Sequence, residues 1–417
     1  MEIGSKIKYY RTKKQMTQEE LASGIISISY LSKIENNQVD SSVDIISLIC
    51  EKLNIDPEVP IDSRIPDLCV AFFESLLKSD IENAETLFKS LNLEIDSVDH
   101  YGFLKLFEIQ KIRYFLLKRD LKSAKEQIEL LKRQRFHFTK SEEYYWLKFI
   151  ANYHYINYDF SSAFEYFKKA QKVFHFDVYS YEEEESDLYY SLALAASKLW
   201  NTYLTINYTN KALEYYQRKY NMKRCVECHI LLGICHGRNK EYEKAIDCYK
   251  QARELSTIID SDWLISLSDQ NLGHLLSLQG KSEEAINHFL SCYHKREASD
   301  ISILKPIFSL TKEYFSKGDR DNAYNWLRKG QAIISNLKLE SSPQTIDFQI
   351  YNYLITNYTH EFETFLLETV IPYYEQKNNK MEQAKNLRLL ARYYYDDRKY
   401  KKAAIYFEQA YKLLENI

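Results

Sequence analysis

The run CVECH at 225–229, with Cys235 and His236 close behind, is the densest group of metal-capable side chains in the sequence. Two thiols three apart and a histidine match the c-type haem attachment pattern. Thiols with imidazoles also hold zinc. Haem attachment requires an exported chain. The N-terminus MEIGSKIKYYRTKKQMTQEE carries charges where an export signal needs an apolar core of roughly 7–15 residues. A zinc site of this type needs a second paired ligand set on a turn, and the sequence offers none. The cysteines are therefore read as small core residues of a helix, with no metal and no cofactor expected. The acidic run EEEES at 182–186 reads as a solvated helix start, where negative charge favours the dipole. There is no phosphate-binding glycine loop, no Gly-x-Ser-x-Gly and no His-Glu-x-x-His. No catalytic residue is assigned, and the chain is not expected to be an enzyme.

Whatever this chain does must then come from how its elements present a surface. Its 417 residues suggest two to four domains or one repeat array. Lys and Arg number 56 against 59 Asp and Glu, a net charge of −3. That excludes a uniformly basic nucleic-acid coat and an acidic disordered tail. Nine glycines and six prolines are too few for a chain of many short strands. The 36 Tyr and 21 Phe are large rings to bury between helices. Seven scattered cysteines are no disulfide framework. No apolar run approaches the roughly 18 residues of a membrane helix. A soluble, cytoplasmic, all-α protein with no membrane contact is expected.

Pro57, Pro60 and Pro66 mark a break, because each proline lacks an N–H and biases its predecessor away from helix. The predicted boundaries are a first domain over 1–58, a linker over 59–66 and a second domain over 67–417. In the first, Ile3, Ile7 and Tyr10 share a helical face. Thr17 and Glu20 match a capping box. Ser27 caps a short helix with Leu31 and Ile34 inward, and Asn36-Asn37 ends it. Ser41 or Ser42 starts a last helix carrying Ile45, Ile46, Ile49 and Leu53. The stretch TQEELASGIISISYLSKIENN resembles the helix-turn-helix of Cro/C1-type repressors. The resemblance implies that Ser29, Tyr30 and Lys33 face bases in the major groove. It implies that Thr17, Gln18, Ser27 and Asn37 touch phosphates, and that Arg11 and Glu35 form an internal ion pair. Residues 1–36 hold six cations against four acids, and residues 37–60 one against five. So weak a field suggests modest affinity per subunit and hence a dimer on DNA.

Beyond residue 66, YEKAIDCYKQA, SEEAINHFLSC, SSAFEYFKKAQ and YKKAAIYFEQA repeat one pattern. A small residue is followed by an aromatic four later and a small residue seven later: Ala245/Tyr249/Ala252, Ala163/Phe167/Ala170, Ala403/Phe407/Ala410 and Ala285/Phe289/Cys292. The register extends over Ala84, Ala124, Ala163, Thr205, Ala245, Ala285, Ala323, Thr364 and Ala403, with separations of 38 to 42 residues. Twelve residues ahead lies another position that is often small, such as Ala151, Ala193, Gly233 and Gly273. Phe72 and Asn352 break that rule in the first and eighth units. Small residues let paired helices approach, and the aromatic fills the gap between one hairpin and the next. The pattern resembles the tetratricopeptide repeat, whose usual period is about 34. It implies a right-handed superhelix of about nine helix hairpins, each helix longer by roughly a turn.

The resemblance implies a concave wall built from the first helix of each hairpin. Its groove-facing positions here are Arg113, Tyr145, Lys148, Asn152, Tyr155, Asp187, Tyr190, Lys198, Glu227 and Arg238. Further along they are Gln270, His274, Lys305, Lys312, Gln349, Asn357, Lys385, Arg388, Arg392 and Asp396. Nine cations face three acids there, so a chain that is acidic overall has a basic groove. Rings, amides and cations suit an extended peptide. Arg113 is expected to pair with a carboxylate, Asn152 to bond the peptide backbone, and Gln270, Asn271 and His274 to hold the other half. A Cro/C1-type helix-turn-helix followed by such repeats resembles the peptide-pheromone-sensing regulators of Gram-positive bacteria, of the PlcR/NprR type and related to the Rap proteins. That resemblance implies quorum sensing: a short signalling peptide in the groove, a homodimer or higher oligomer, and a palindromic double-stranded DNA operator. The alternative it leaves is a regulator that sequesters a phosphorelay response regulator.

Overall fold

The helices of this chain are punctuated about every twenty residues by a residue with positive φ, at Ser79, Arg119, Tyr158, Trp200, Tyr220, Lys240, Asp260, Gly280, Gly318, Lys338, Asn378 and Arg398. Such a left-handed residue ends a helix by turning the chain away from its axis. At Asp80, Asp120, Asp159, Asn201, Asn221, Ser261, Asp319 and Asn379 the next side chain then accepts the N–H three residues on and starts the following helix. Only two of these twelve left-handed positions are glycine. The scarcity of glycine is therefore real, but tight helix turns form without it, at about 1 kcal/mol for each side chain forced left-handed.

The computed structural model describes residues 3–14, 16–36, 38–39, 41–53, 55, 64–95, 98, 103–134, 138–296, 301–339, 342–356 and 360–415. Contacts divide the chain into two compact units, Met1–Phe149 and Ile150–Ile417. The first contains α1 (Ile3–Lys13), α2 (Gln18–Ala22), α3 (Ile28–Glu35) and α4 (Val43–Lys52) around a core of Ile7, Leu21, Leu31, Ile34, Ile49 and Leu53. Asn36 closes α3 at φ −96°, outside the left-handed region, and Asn37 lies outside the described residues. Two hairpins follow: α5 (Arg64–Lys78) with α6 (Ile81–Leu93), and α7 (Leu104–Leu117) with α8 (Leu121–Gln134). Most of the expected linker, including Pro60, is likewise outside the described residues. Arg64, Ile65 and Pro66 already belong to α5, since proline is tolerated in a first helical turn.

Helix α9 (Lys140–Ile156) opens the third hairpin, completed by α10 (Phe160–Val173), and the unit boundary falls within α9. The second unit continues with α11 (Tyr181–Lys198), α12 (Thr202–Arg218), α13 (Met222–Arg238), α14 (Tyr242–Ile258), α15 (Asp262–Leu278) and α16 (Ser282–His294). Then come α17 (Leu304–Ser316), α18 (Arg320–Asn336), α19 (Pro343–Ile355), α20 (His360–Phe365), a π-turn (Leu366–Val370), α21 (Ile371–Gln376), α22 (Lys380–Asp396) and α23 (Tyr400–Glu415). Taken pairwise, with α20, the π-turn and α21 as one arm, these make nine hairpins and no strand among the described residues. No described helix is long and apolar enough to cross a membrane.

The periodic small residues sit where predicted. Ala84, Ala124, Ala163, Thr205, Ala245, Ala285 and Ala323 are fully buried. Thr364 is the exception and is exposed. In that arm Phe362, Leu366 and Val370 turn inward instead, at a spacing of four. A π-turn keeps four-spaced residues on one face, and Pro372 leaves the Glu368 carbonyl without an N–H four residues on. The aromatic does more than fill the gap to the next hairpin. Tyr249 lies over Gly233 of its own hairpin, so close that a β-carbon there would come within 2.5 Å of the ring. Phe289 stands in the same relation to Gly273 at 2.6 Å. Cys225 and Cys228 pack in a cluster with Tyr190, Leu213 and Tyr216. Gly233→Ala is therefore expected to destabilise the second unit by about 1–3 kcal/mol. Lys240→Gly, which relieves a left-handed lysine, should stabilise it by up to about 1 kcal/mol. Urea denaturation of both variants checks the opposite signs.

Candidate functional site

The surface of α3 is set by its neighbours. The Thr17 hydroxyl accepts the Glu20 N–H at 3.1 Å and Glu20 accepts the Thr17 N–H at 2.7 Å, a reciprocal cap on α2. Gly24, at φ +80°, makes the turn that glycine alone adopts without strain. Ser27 then accepts the Tyr30 N–H at 3.3 Å and starts α3. Arg11 forks onto Glu35 at 2.6 and 3.0 Å and donates to the Met16 carbonyl at 2.8 Å. Gln18 donates to the same Glu35 at 2.7 Å. Glu35 is buried, so this cluster ties α1, α2 and α3 together. Ser29 and Lys33 lie exposed, four residues apart on one face of α3, and among the described residues Lys33 forms no ion pair. Tyr30 is half-buried at the edge of the core. Thr17 and Ser27 are exposed beside that face, and Gln18 gives one of its two amide N–H groups to Glu35.

In the second unit the inner helices carry a distinct electrostatic pattern. Arg224 on α13 bonds Asp187 at 2.7 Å and Glu227 at 3.0 Å, and lies 4.7 Å over the Tyr190 ring. Two of the three acids expected on the wall are thereby neutralised. The third, Asp396, pairs with Arg392 at 3.4 Å. The cations face one another. Burial, then the charges of Lys305 and Arg238, hold the Lys198 ammonium below its usual range. Burial, then Lys385, does the same to Lys312. Lys198 and Lys312 are open to solvent but walled in otherwise, the condition of a concave surface. Arg238 donates to the Ser197 carbonyl at 2.7 Å and stacks on Trp200 at 4.3 Å.

Gln270 and His274 on α15 meet α17. The Gln270 amide nitrogen donates to the Ser309 hydroxyl at 2.8 Å and contacts His274 Nε2 at 3.1 Å. Burial, then Lys312 and Lys305, push the His274 pKa down to about 4. At pH 7 the ring is neutral. With Nε2 accepting from Gln270, Nδ1 carries the proton and is a donor. Further along, α17, α19 and α22 enclose a cavity of about 380 Å³ lined by Phe308, Lys312, Asp347, Tyr351, Lys385 and Arg388 among others. Burial pushes the Asp347 carboxyl up to about 6, against the pull of Lys385 and Lys312.

Several expected groove residues stand inside the wall. Tyr145 is buried edge-on against Phe73 at 4.8 Å. Lys148 is buried with its ammonium 5.8 Å over Tyr144. Tyr190 lies beneath Arg224, and Gln270 is 4% exposed and braces Ser309. Facing positions of a shorter repeat drift inward when carried onto helices a turn longer. Asn152, Tyr155, Arg238 and Asn271 are half-buried, although the Asn271 amide donates to the Leu267 carbonyl at 2.8 Å. His274, Lys312 and Gln349 are exposed. Arg113, in the first unit, is half-buried with its guanidinium 3.4 Å from the Ser79 hydroxyl. Asn357 lies outside the described residues. Asp347 and Tyr351 were not anticipated. The signal for their pocket was the spacing of Lys385, Arg388 and Arg392, which puts three cations on one helix face.

Comparison with known proteins fits this geometry. A helix-turn-helix family matches residues 7–59, and a tetratricopeptide repeat family matches residues 226–297. The transcriptional activator NprA of Geobacillus stearothermophilus is 33% identical over 408 residues, 95% of this chain and 99% of that protein. A Rap protein complexed with competence and sporulation factor superposes with a TM-score of 0.71 at 18% identity, over 86% of this chain and 99% of the other. NprR in complex with its cognate peptide NprX gives 0.67 at 19% identity, over 84% and 100%. At these identities the two structures speak for the fold.

Two substitutions probe the geometry. Glu35→Ala leaves Arg11 without its buried partner and is expected to cost the helix-turn-helix about 3–5 kcal/mol, read as earlier thermal unfolding. Asp347 titrates higher folded than unfolded, so the folded chain holds the extra proton and stability falls as pH rises through about 6. Asp347→Asn should raise the melting temperature at pH 7.5 and flatten its fall between pH 4 and 7.

Proposed function

The chain belongs to the family of the transcriptional activator NprA, and we propose that it is a cytoplasmic transcription regulator gated by a short peptide. It acts by binding and not by catalysis. In this reading residues 1–58 bind double-stranded DNA, residues 59–66 join, and residues 67–417 sense the peptide and form the homodimer. Ser29, Tyr30 and Lys33 read base edges from α3, while Thr17, Gln18, Ser27 and Asn37 hold the phosphates on either side. The peptide lies along the inner wall of the second unit. Asn152, Tyr155, Arg238, Asn271, His274, Lys312 and Gln349 have the exposure to touch it; Gln270 and Tyr190 hold those contacts in place from behind. The relatives named above include one solved with a bound peptide and one named as a transcriptional activator.

The observation that carries this reading is the charge arrangement of the wall. The three acids expected there are bonded to Arg224 and Arg392, while burial and neighbouring cations hold Lys198 and Lys312 below their usual range on an open surface. Such an arrangement is stabilised by an anionic ligand, and tyrosines and amides between the cations suit a peptide backbone.

Selection from random duplexes should return a palindromic site. Lys33→Ala should weaken binding to it by about 1–3 kcal/mol, or roughly five- to 150-fold, in gel shifts. A pool of random heptapeptides offered to the full-length protein should leave retained members that change its light-scattering mass and its affinity for the selected site. Retention should fall as salt rises. If no peptide is retained, or retained peptides leave both mass and DNA affinity unmoved, the gating reading is wrong.

A further inference from the structure

The cavity between the seventh, eighth and ninth hairpins differs from the rest of the wall. It combines cations with apolar surface in one half-open pocket. Lys385 and Arg392, on its rim, already have partners on their own helix, Glu382 at 2.8 Å and Asp396 at 3.4 Å. Lys312 and Arg388 form no ion pair among the described residues. These are two unspent positive groups on α17 and α22, facing one cavity.

The apolar part has a structural origin. Phe167, Tyr249 and Phe289 occupy the aromatic position of their hairpins and are at most 4% exposed. Phe407 holds the same position in the ninth hairpin and is 41% exposed. Among the described residues no other hairpin packs over it, and its ring lines the cavity with Phe308, Tyr351 and Leu389. An uncovered ring next to unpaired cations is costly surface on both counts, since apolar area and like charge each gain from a ligand.

We propose that this cavity receives the C-terminal residue of the signalling peptide, its free carboxylate on Lys312 and Arg388 and its apolar side chain among Phe308, Tyr351, Leu389 and Phe407. The inference rests on the peptide-gated reading given above and assigns the direction in which the peptide lies. The chemistry selects this residue. An aspartate or glutamate side chain brings a carboxylate without apolar surface, and so does inorganic phosphate. An internal leucine or valine brings apolar surface without charge. Only a C-terminal apolar residue carries both within one residue's length. At about 380 Å³ the cavity sits at the lower end of the roughly 300–1,000 Å³ of ligand sites and has room for such a residue. Asp347 on the same lining is left to accept the residue's amide N–H.

N-acetyl-leucine and N-acetyl-leucinamide are the probes, titrated into full-length protein and followed by ligand-observed NMR. They differ only in the carboxylate. N-acetyl-leucine should bind at least tenfold more tightly than the amide. Arg388→Gln and Lys312→Gln should each weaken it by fivefold or more, with melting temperatures within a few degrees of the parent's. Lys250→Gln, on α14 away from the cavity, should change nothing. Equal binding of acid and amide, no saturation by the acid, or an unchanged affinity in Arg388→Gln overturns the assignment. The peptide pool separates this from the wider reading. Retained peptides that are indifferent to Arg388→Gln and to C-terminal amidation overturn the pocket and leave peptide gating standing. Failure of the pool removes the gating reading, while selective N-acetyl-leucine binding still supports a carboxylate site here.

Discussion

The stacking in this molecule depends on rings laid over glycines. Tyr249 over Gly233 and Phe289 over Gly273 bring two helices nearer than any side chain would allow. Alanine or threonine fills the glycine's position elsewhere, at Ala151, Ala193, Thr311 and Ala391. Because the pairing recurs about every forty residues, each hairpin meets the next with nearly the same geometry. Regular stacking of that kind turns one face of each first helix in the same direction and makes a wall. The cations of the wall are far apart in sequence, at Lys198, Lys305 and Lys385. They come to bear on one another, or on shared neighbours, only because the stacking is regular.

That regularity made most of the fold legible. The capping box at Thr17 and Glu20, the Arg11–Glu35 pair and the register from Ala84 to Ala323 stand in the structure as the sequence suggests. Local pattern failed where backbone geometry departs from the ordinary helix. Thr364 has the right residue type at the right spacing and is still exposed, because a π-turn above Pro372 rotates the arm. The helix turns were harder to anticipate for another reason. Tyr220, Lys240 and Arg398 adopt left-handed backbone with no glycine to signal it; only Asn221, after the first of them, is a capping residue that gave a hint. The wall positions were least legible. Tyr145, Lys148 and Gln270 carry suitable chemistry, yet a rotation of a fraction of a turn decides whether a side chain faces the groove or lies behind it.

Charge is where composition misleads most. A net charge of −3 suggests no attraction for anions. What matters is which charges are already paired. The three acids expected on the wall are bound at 2.7 to 3.4 Å by Arg224 and Arg392. Lys198 and Lys312 form no ion pair among the described residues; burial holds both below their usual range, with Lys305 and Arg238 adding to it at Lys198, and Lys385 at Lys312 where Asp347, Glu313 and Glu382 offset part of it. Surface pairs elsewhere, such as Lys78–Glu74 and Lys412–Glu408, cancel locally and contribute little to stability or to field. A basic groove can thus exist inside an acidic chain without any local excess in the sequence.

The magnitudes also rank the parts of the second unit by strength. Neighbouring hairpins share buried rings and aliphatic side chains, each worth about 1.5–3 kcal/mol when fully buried. The turn of hairpin three is also joined by hydrogen bonds to the turn that follows α21. Lys377 donates to Asn157 at 2.6 Å and Asn378 donates to Asp159 at 3.1 Å, across some 220 residues of chain. Each of these bonds has one charged partner and contributes at most about 1.5–3 kcal/mol. The curvature of the wall is thus set by strong, local, repeated contacts, and its closure by weak, distant ones. Burial also holds the Lys377 ammonium below its usual range. Charge-assisted bonds to a ligand in the groove are worth about 1.5–3 kcal/mol each. Two such bonds match the closing contacts in energy, while they fall well short of the packing that holds any one hairpin on the next.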